Sequence, residues 1–388
     1  MQPHDWPRFN MTAGPSGATP ATLAALGAPI MNHQDPAFGA LYEETAELLR
    51  QAFATPSAPV ILQGEAVLGL EATAACAIGP GDVVLNLVSG VFGKGYGHWA
   101  RRHAREVIEI EVAYNSSLPP ERVAEAFRQR PDIGVVSVVH CETPSGTVND
   151  VDAIAAVARD HGALLIVDAV SSFGGMRCDF ASWGDSLVVA APHKCLGGPA
   201  GLSLLHVSDG AWDRMAANPA APRESALSIL DWRDAHLASR PFPFTPSVTG
   251  IYGLHACLRQ YLEEGAEVVR GRHQAAARAT RAGVEALGLE LWAPDPAARS
   301  DTATAVRLPE GTDEQAVRDH ARDRSGVLLS GGYRGLSGML LRIGHMGPSA
   351  FPLSAVIAVT AVGRALRAAG TEADIGAAVT AAVAALDA

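Results

Sequence analysis

Between about residues 60 and 210, short continuous apolar runs alternate with longer amphipathic segments, and few folds accommodate this alternation. The runs are 83–88 (VVLNLV), 133–140 (IGVVSVVH), 163–170 (ALLIVDAV), 186–191 (SLVVAA) and 202–207 (LSLLHV). Apolar runs of this length are typical of strands covered on both faces. The intervening segments 119–130 and 149–161 have helical periodicity. The sequence therefore predicts an α/β fold with a parallel or mixed sheet.

The pattern changes near Val248, after a proline-rich excursion at 221–247. The later segments are a helical stretch at about 250–287, strands at 302–307 and 339–343, and helices near 312–323 and 354–368. Strands and helices in this mixture are typical of an α+β unit. We therefore predict a large domain over 15–247 and a smaller α+β domain that includes 248–388.

The composition indicates which cellular compartment and which classes of binding partner to expect. The chain has 30 Lys and Arg against 41 Asp and Glu, a net charge of −11, which disfavours binding to nucleic acid or to anionic membranes. Five cysteines without close pairs argue against a disulfide scaffold and for a reducing compartment. The polar, proline-interrupted segment 1–9 lacks the apolar core of a signal peptide. We therefore expect a cytoplasmic protein that acts on small molecules.

Three polar residues follow predicted strands at the points where the strands end: Thr143, Asp168 and Lys194. In an α/β sheet, ligands bind at the carboxyl ends of the strands. A desolvated lysine in the turn PHKCLGGP can act as a Schiff-base nucleophile, and a buried aspartate needs a cationic or N–H partner. A protonated pyridine nitrogen would be such a partner. Taken singly, Lys194 is also compatible with a surface lysine and Asp168 with a structural cap, but the pair favours a functional site.

Several spaced motifs carry a family resemblance over nearly the whole chain. They are TAGPS (12–16), TPSGT (143–147), VDAVSSFGG (167–175), PHKCLGGPAG (192–201), FTPSV (244–248) and RIGHMGP (342–348). In this order they resemble the class V aminotransferases of fold type I. The resemblance implies a large domain with a mostly parallel sheet of the seven-stranded type and a smaller C-terminal α+β domain, which 1–14 would join. Within the family, LQGEAVLGLE (62–71), SGVFGKGYG (89–97) and PFPFTPSV (241–248) most resemble the pyridoxamine–pyruvate aminotransferases.

The resemblance also implies roles at the inner end of the site. Lys194 would form the Schiff base and move the proton between the substrate carbon and C4′. Asp168 would keep the ring nitrogen protonated, and Thr143 would hydrogen-bond near the ring hydroxyl. Val170 would pack on one ring face, and Phe92 would stack on the other.

The substrate carboxylate is assigned to arginine. Arg342 would clamp the carboxylate of the amino or keto acid bidentately, a geometry that the planar guanidinium favours. A second contact is expected from the stretch GGYRGLSG (331–338), in which either Tyr333 or Arg334 occupies the position of the subgroup's arginine. The resemblance leaves this choice, and the preferred keto acid, open.

The loop around Glu65 separates the subgroup from other class V enzymes. In those enzymes, small and polar residues at positions matching Gln63–Ala66 offer a helix N-terminus to the coenzyme phosphate. Here Glu65 would repel a phosphate about 4 Å away by on the order of a thousandfold in affinity, at an effective dielectric of about 20. Glu65 and Ala66 would instead face a neutral hydroxymethyl group. The competing interpretation places Glu65 in solvent as an ordinary first-turn residue.

A second substitution points the same way. Phe242 stands three residues before the Thr245–Pro246 pair, where the family often has a tyrosine that reaches the partner subunit's phosphate. Phenylalanine cannot donate that hydrogen bond. Phe242 and Thr245 are therefore placed with the residues that contact the vitamin.

The expected function is a transaminase that converts pyridoxamine and pyruvate into pyridoxal and L-alanine in vitamin B6 degradation, with the unphosphorylated ring as a substrate in the coenzyme site. The alternative is an alanine–glyoxylate or serine–glyoxylate type of enzyme with bound pyridoxal 5′-phosphate. A non-catalytic B6-binding protein is a third possibility, which Lys194 argues against. We expect no metal site, since no ligand spacing such as CxxC or HxxxH is present. The resemblance implies a homodimer or homotetramer.

Overall fold

A computed structural model describes residues 9–387. At its centre lies a seven-stranded sheet in the order β2-β10-β9-β8-β5-β3-β4. All neighbouring strands are parallel except β10, which runs antiparallel to both β2 and β9. The α/β class and the mostly parallel sheet predicted from the sequence are confirmed.

The helices and strands have the following bounds. The helices are α1 (Pro20–Leu26), α2 (Pro36–Phe53), α3 (Ala66–Ala77), α4 (Val91–His103), α5 (Pro120–Gln129), α6 (Val151–Asp160), α7 (Asp209–Ala217), α8 (Val248–Glu264), α9 (Ala266–Ala286), α10 (Glu314–Ser325), α11 (Leu353–Ala368) and α12 (Ile375–Leu386). The strands are β1 (Phe9–Asn10), β2 (Val60–Gln63), β3 (Val83–Val88), β4 (Glu106–Glu111), β5 (Ile133–Val139), β6 (Cys141–Glu142), β7 (Thr147–Val148), β8 (Leu164–Asp168), β9 (Ser186–Ala190), β10 (Leu202–Val207), β11 (Glu290–Leu291), β12 (Ala303–Arg307), β13 (Val327–Leu328), β14 (Ser330–Gly331) and β15 (Leu341–Gly344).

The centre of the sheet explains why the apolar runs are unbroken. Strands β8 and β9 are buried at every residue, so neither face can carry solvated side chains. The pairing register sets Asp168 opposite Val139 of β5 and Val189 of β9. The carboxyl ends of three adjacent strands therefore meet at one edge of the sheet, where ligands bind in this class of fold.

Helix boundaries follow local capping chemistry. Asp150 accepts a hydrogen bond from the Ala153 N–H and begins α6, as Asp35 does for α2 through the Ala37 N–H. The helical stretch predicted over 250–287 is two helices, because the chain bends at Gly265, whose φ of +87° suits glycine.

A second, four-stranded antiparallel sheet has the order β11-β12-β15-β14. It packs with α9–α12 around an apolar core that includes Val306, Ile343 and Val359. Helix α8, which follows the predicted domain change, contributes Ile251 and Leu254 to the core of the large sheet. The boundary near Val248 stays a prediction, and residues 1–8 and 388 of the predicted smaller domain lie outside the described residues. Across residues 9–387, every helix is too short or too polar to cross a membrane.

Candidate active site

The three residues predicted at strand ends lie at or shortly after the carboxyl ends of three adjacent strands of the large sheet, β5, β8 and β9. Asp168 ends β8, Lys194 follows β9 by four residues, and Thr143 follows the short strand β6 after β5. Lys194 is 8% exposed, and Asp168 and Thr143 are each 7% exposed. Buried polar groups of this kind need partners, and their partners define the site.

Lys194 is held by the N-terminal loop. Its Nζ donates a hydrogen bond to the Ala13 carbonyl at 2.9 Å, and the Ser16 hydroxyl donates to the Lys194 carbonyl at 2.6 Å. A Cβ on Gly14 would lie 2.2 Å from Lys194 Nζ, so only glycine leaves room for the lysine there. Burial lowers the pKa of Lys194, and the nearby Arg342 lowers it further, while Asp168 opposes both. The lowered pKa increases the neutral fraction of the amine, which is the nucleophilic form.

Asp168 has a single backbone hydrogen bond to its carboxylate. Its Oδ1 accepts the Val170 N–H at 2.9 Å. Burial raises the pKa of Asp168 to about 6; the Val170 N–H and Lys194 lower it, and the charge of Glu65 raises it. A carboxylate held this sparsely retains the capacity to accept a hydrogen bond from a protonated ring nitrogen.

Arg342 links the smaller sheet to the Thr143 loop. Its Nε donates to the Gly331 carbonyl and its Nη1 to the Thr143 carbonyl, each at 2.8 Å. Burial lowers the pKa of Arg342 to about 10. Nη2 and the second hydrogen of Nη1 remain for a carboxylate, since a guanidinium has five N–H donors. The hydroxyl groups of Thr143 and Ser171 are hydrogen-bonded to each other.

Tyr333 and Arg334, the two candidates for the second carboxylate contact, lie in a stacked column with Phe92. Phe92, in the first turn of α4, stacks on Tyr333 with ring centroids 6.2 Å apart and an interplanar angle of 20°. The Arg334 guanidinium lies 5.4 Å from the centroid of the Tyr333 ring. Arg334 is exposed and has a φ of +50°, a strained value for a residue with a Cβ. Tyr333, not Arg334, thus contacts Phe92.

One buried acid was missed by the sequence analysis. Glu142, directly before Thr143, accepts the N–H groups of Phe92 and Gly93 at 3.0 and 2.7 Å. Burial raises the pKa of Glu142 to about 7, although both N–H groups lower it. The available signal was an acidic residue at the end of an otherwise apolar strand, immediately before a motif threonine.

At the outer rim, Glu65 occupies the N-cap position of α3, and Ala66 begins the helix. The Ser203 hydroxyl donates to the Glu65 carbonyl at 3.0 Å, which fixes the backbone, while the Glu65 side chain is exposed. Within residues 9–387, no side chain caps the first turn of α3. Strand β2 runs in the same direction as β8 and β9, so Glu65, two residues past the end of β2, lies at the same edge of the sheet as Asp168. The charge of Glu65 raises the pKa of Asp168.

Phe242 and Thr245 lie in the segment that precedes α8, and in the described contacts neither is bonded to Lys194, Asp168 or Arg342. Phe242 packs edge-on against Tyr42 and Phe38, with ring centroids 4.8 and 5.8 Å apart. Thr245 is exposed, and its carbonyl accepts the Gln63 side-chain amide at 2.6 Å. The described contacts of Phe242 are therefore with α2 and Trp232, and that of Thr245 is with the Gln63 loop, rather than with Lys194.

No group of three or more His, Cys, Asp or Glu residues suited to a metal ion occurs among the described residues. The five cysteines are free thiols, and Cys195 beside Lys194 is buried with a raised pKa. The functional groups that the site brings together are the amine of Lys194, the carboxylate of Asp168 and the guanidinium of Arg342.

Most of the chain, including Thr143, Asp168, Lys194 and Arg342, matches a family model. Residues 29–348 fit the model described as aminotransferase class V. The chain belongs to the class V aminotransferases. The large sheet, the strand-end lysine and the resemblance noted from the motifs all agree with this membership.

Among class V aminotransferases, the pyridoxamine–pyruvate transaminase of Mesorhizobium japonicum is 51% identical over 99% of this chain and 98% of its own. A crystal structure of pyridoxamine-pyruvate aminotransferase from Mesorhizobium loti superposes with a TM-score of 0.98 at 50% identity, covering 100% of this chain and 99% of the other. The ureidoglycine-glyoxylate aminotransferase of Bacillus subtilis gives a TM-score of 0.92 at 29% identity, with 98% of each chain covered. These likenesses confirm the expected fold type I architecture.

Proposed function

We propose that this class V aminotransferase transfers the amino group of pyridoxamine to pyruvate and releases pyridoxal and L-alanine, a step of vitamin B6 degradation. The observation that carries the proposal is a carboxylate, Glu65, at the helix N-terminus where a phosphate would bind, beside an otherwise complete transaminase site. The near full-length likeness to pyridoxamine–pyruvate enzymes supports it.

The residues at the sheet edge fit a vitamin B6 ring. Asp168 has capacity for a protonated ring nitrogen, and Lys194 has a lowered pKa beside it. The ring, when bound, withdraws electrons from the reacting carbon. In our proposal the Lys194 amine would condense with the aldehyde carbon of pyridoxal with loss of water and would then be displaced from that carbon by the amino group of alanine. The freed amine would move a proton between the same carbon and the α-carbon of the amino acid. The Ala13 carbonyl accepts a hydrogen bond from the Lys194 Nζ when the amine is not bonded to the vitamin.

The other site residues orient the two substrates. Phe92 and Val170 pack on opposite ring faces, and Thr143 binds near the ring hydroxyl. Arg342 binds the carboxylate of pyruvate or alanine through its Nη2 edge, with Arg334 as a secondary, outer cation. The remaining contacts are proposed for Glu65 and Ala66 on the hydroxymethyl group, and for Phe242 and Thr245, which would reach the site of a partner subunit in a homodimer or homotetramer. Five free thiols suit a cytoplasmic enzyme.

The second candidate is a conventional enzyme with bound pyridoxal 5′-phosphate, of the alanine–glyoxylate or serine–glyoxylate type. Its support is the uncapped first turn of α3, which has the N–H groups and the dipole to attract an anion once Glu65 turns away. The serine–glyoxylate aminotransferase of Methylorubrum extorquens is 31% identical over 86% of this chain and 85% of its own.

The deciding experiment compares pyridoxamine with pyridoxamine phosphate, each with pyruvate, in wild type and in Glu65→Gln. Because Glu65 is exposed, the dielectric around it is close to that of water, and the charge penalty falls from the thousandfold expected from the sequence to roughly tenfold. We expect wild type to prefer the unphosphorylated form by about that factor, through kcat/KM, and Glu65→Gln to lose most of the preference. A wild type that prefers the phosphate, or that keeps pyridoxal phosphate through dialysis, would favour the second candidate.

A further inference from the structure

The side chain of Glu142 joins two parts of the site that are far apart in sequence. It follows the central strand β5, yet it reaches the first turn of α4, which carries Phe92. We propose that Glu142 is a positioning residue that holds Phe92 against the vitamin ring by fixing the first turn of α4. This inference rests on the proposed function in one respect, namely that Phe92 packs on the ring.

The Glu142 carboxylate is directed at two backbone groups. Its Oε2 accepts the Phe92 N–H at 3.0 Å, and its Oε1 accepts the Gly93 N–H at 2.7 Å. The first N–H groups of a helix have no partner within the helix, so this carboxylate satisfies two of them and complements the helix dipole. The backbone of Phe92 is thereby fixed at its own peptide nitrogen.

The carbonyl side of the same turn is held as well. The Asn86 side-chain amide, fully buried in β3, donates to the Gly93 carbonyl at 3.0 Å. Ser137 of β5 donates to the Asn86 oxygen at 2.8 Å. Gly93 is thus held at its N–H by Glu142 of β6 and at its carbonyl by Asn86 of β3, and α4 cannot shift along the sheet without breaking these bonds.

Two glycines provide the space for this arrangement. A Cβ on Gly90 would lie 2.4 Å from the Glu142 Cδ, and a Cβ on Gly93 would lie 2.8 Å from the Leu87 carbonyl oxygen and 3.3 Å from Glu142 Oε1. Either side chain would push the carboxylate and the helix apart. The glycines at positions 90 and 93 are therefore explained by close packing around Glu142.

Glu142 and the next residue, Thr143, contact different parts of the site, one beside the proposed ring position and the other beside the proposed carboxylate position. The Thr143 carbonyl accepts Arg342 Nη1, the group proposed for the keto acid carboxylate, whereas Glu142 is bonded to the α4 turn beside the ring. Loss of the Glu142 side chain leaves the Thr143 backbone in place. The inference therefore predicts that ring binding weakens and that the pyruvate KM changes little.

The test titrates pyridoxal into wild type, Glu142→Ala and Glu142→Gln, following the visible absorbance that develops when the aldehyde reacts with Lys194. We expect Kd to rise at least about tenfold in Glu142→Ala, because two charge-assisted hydrogen bonds are lost. Glu142→Gln keeps one acceptor oxygen, so its Kd for pyridoxal should lie between the values for wild type and for Glu142→Ala. Gly93→Ala, in which Glu142 is intact but displaced, should raise Kd in the same way.

Asp82→Asn is the matched control. Asp82 also accepts a backbone N–H, from Gly79 at 2.7 Å, and an Arg214 bond at 2.5 Å, but at the opposite end of β3. It should lose stability in thermal unfolding without a change in Kd for pyridoxal. The pyruvate KM should change less than about threefold in every variant that folds.

Three outcomes overturn the inference: unchanged Kd in both Glu142→Ala and Gly93→Ala, equal rises in pyridoxal Kd and pyruvate KM, or the same Kd rise in Asp82→Asn. If wild type itself develops no absorbance with pyridoxal, the proposed function fails instead. The two failures are thereby distinguished.

Discussion

The chain contains only two lysines, Lys94 and Lys194, and the regions around them are opposite in character. Lys194 is buried behind the N-terminal loop, with a carbonyl as the acceptor of its ammonium group. Lys94 lies on the exposed side of α4 and is ion-paired with Glu109 and Glu111 at 2.8 and 2.9 Å. Burial lowers the pKa of Lys194, whereas the two carboxylates raise the pKa of Lys94.

The difference shows how the fold makes one amine reactive and keeps the other protonated. A lysine followed by glycines in a turn after a strand becomes desolvated, because the sheet covers it from below and the 11–17 loop covers it from above. A lysine in the first turns of a helix, beside an edge strand that carries acids, remains charged. Pyridoxal should therefore discriminate between the two.

The largest effect is expected for Lys194→Ala. Loss of the only buried amine should reduce turnover by at least about 10⁴-fold, since both the nucleophile and the proton carrier are removed. Wild type treated with pyridoxal and borohydride should carry the label at Lys194 by peptide mass spectrometry, and Lys194→Ala should carry almost none. Lys94→Ala is the control and should keep wild-type turnover; labelling mainly at Lys94 would contradict the comparison.

Asp168→Asn should lower activity less than Lys194→Ala does, and it should raise the stability of the folded protein. Loss of the charge opposite the ring nitrogen should lower kcat by about 10²–10³-fold. The raised pKa of Asp168, about 6, means that the protein without the ring loses stability as pH rises from about 4 to 6. Asparagine removes this loss and still accepts the Val170 N–H, so the variant should gain about 3 kcal/mol at pH 8.

Chemical unfolding of both proteins between pH 4 and pH 8 measures this effect. The gain should shrink to less than about 1 kcal/mol near pH 4, where the wild-type carboxyl is protonated in the folded chain and about half protonated in the unfolded chain. An Asp168→Asn protein that is less stable than wild type at pH 8 would show that Asp168 acts as a structural cap, the competing interpretation of the sequence.

The smallest effect concerns Lys94. Removing both of its partners, in Glu109→Gln with Glu111→Gln, should lower the pKa of Lys94 towards its ordinary value and increase borohydride labelling of that residue a few-fold. Labelling of Lys194 should be unchanged. Arg128→Gln, which breaks an exposed ion pair with Glu125 elsewhere on the surface, serves as the control. No increase at Lys94 would indicate that its ion pairs do not limit its reactivity.

The predicted strands agree closely with the structure because the signal was strong and local. The runs predicted at 83–88 and 202–207 match β3 and β10 residue for residue, and 186–191 exceeds β9 by one residue. The two edge strands of the large sheet, β2 and β4, were not predicted. Strands such as β13 and β14 were missed as well, since two-residue strands carry no periodicity. The break at Gly265 was also missed, because a single glycine within a helical pattern does not reveal its φ angle.

The amine and the carboxylate could be proposed from the sequence because the ends of neighbouring parallel strands must meet at one edge. The guanidinium of Arg342, on an antiparallel strand of the smaller sheet, was implied only by the family resemblance. Long-range contacts decided the rest. Glu142 on the α4 turn, the Ala13 carbonyl on Lys194, and Tyr333 rather than Arg334 against Phe92 depend on residues separated by tens to hundreds of positions. Local periodicity carries no information about such pairs; only the packed chain brings a carboxylate to a particular N–H group.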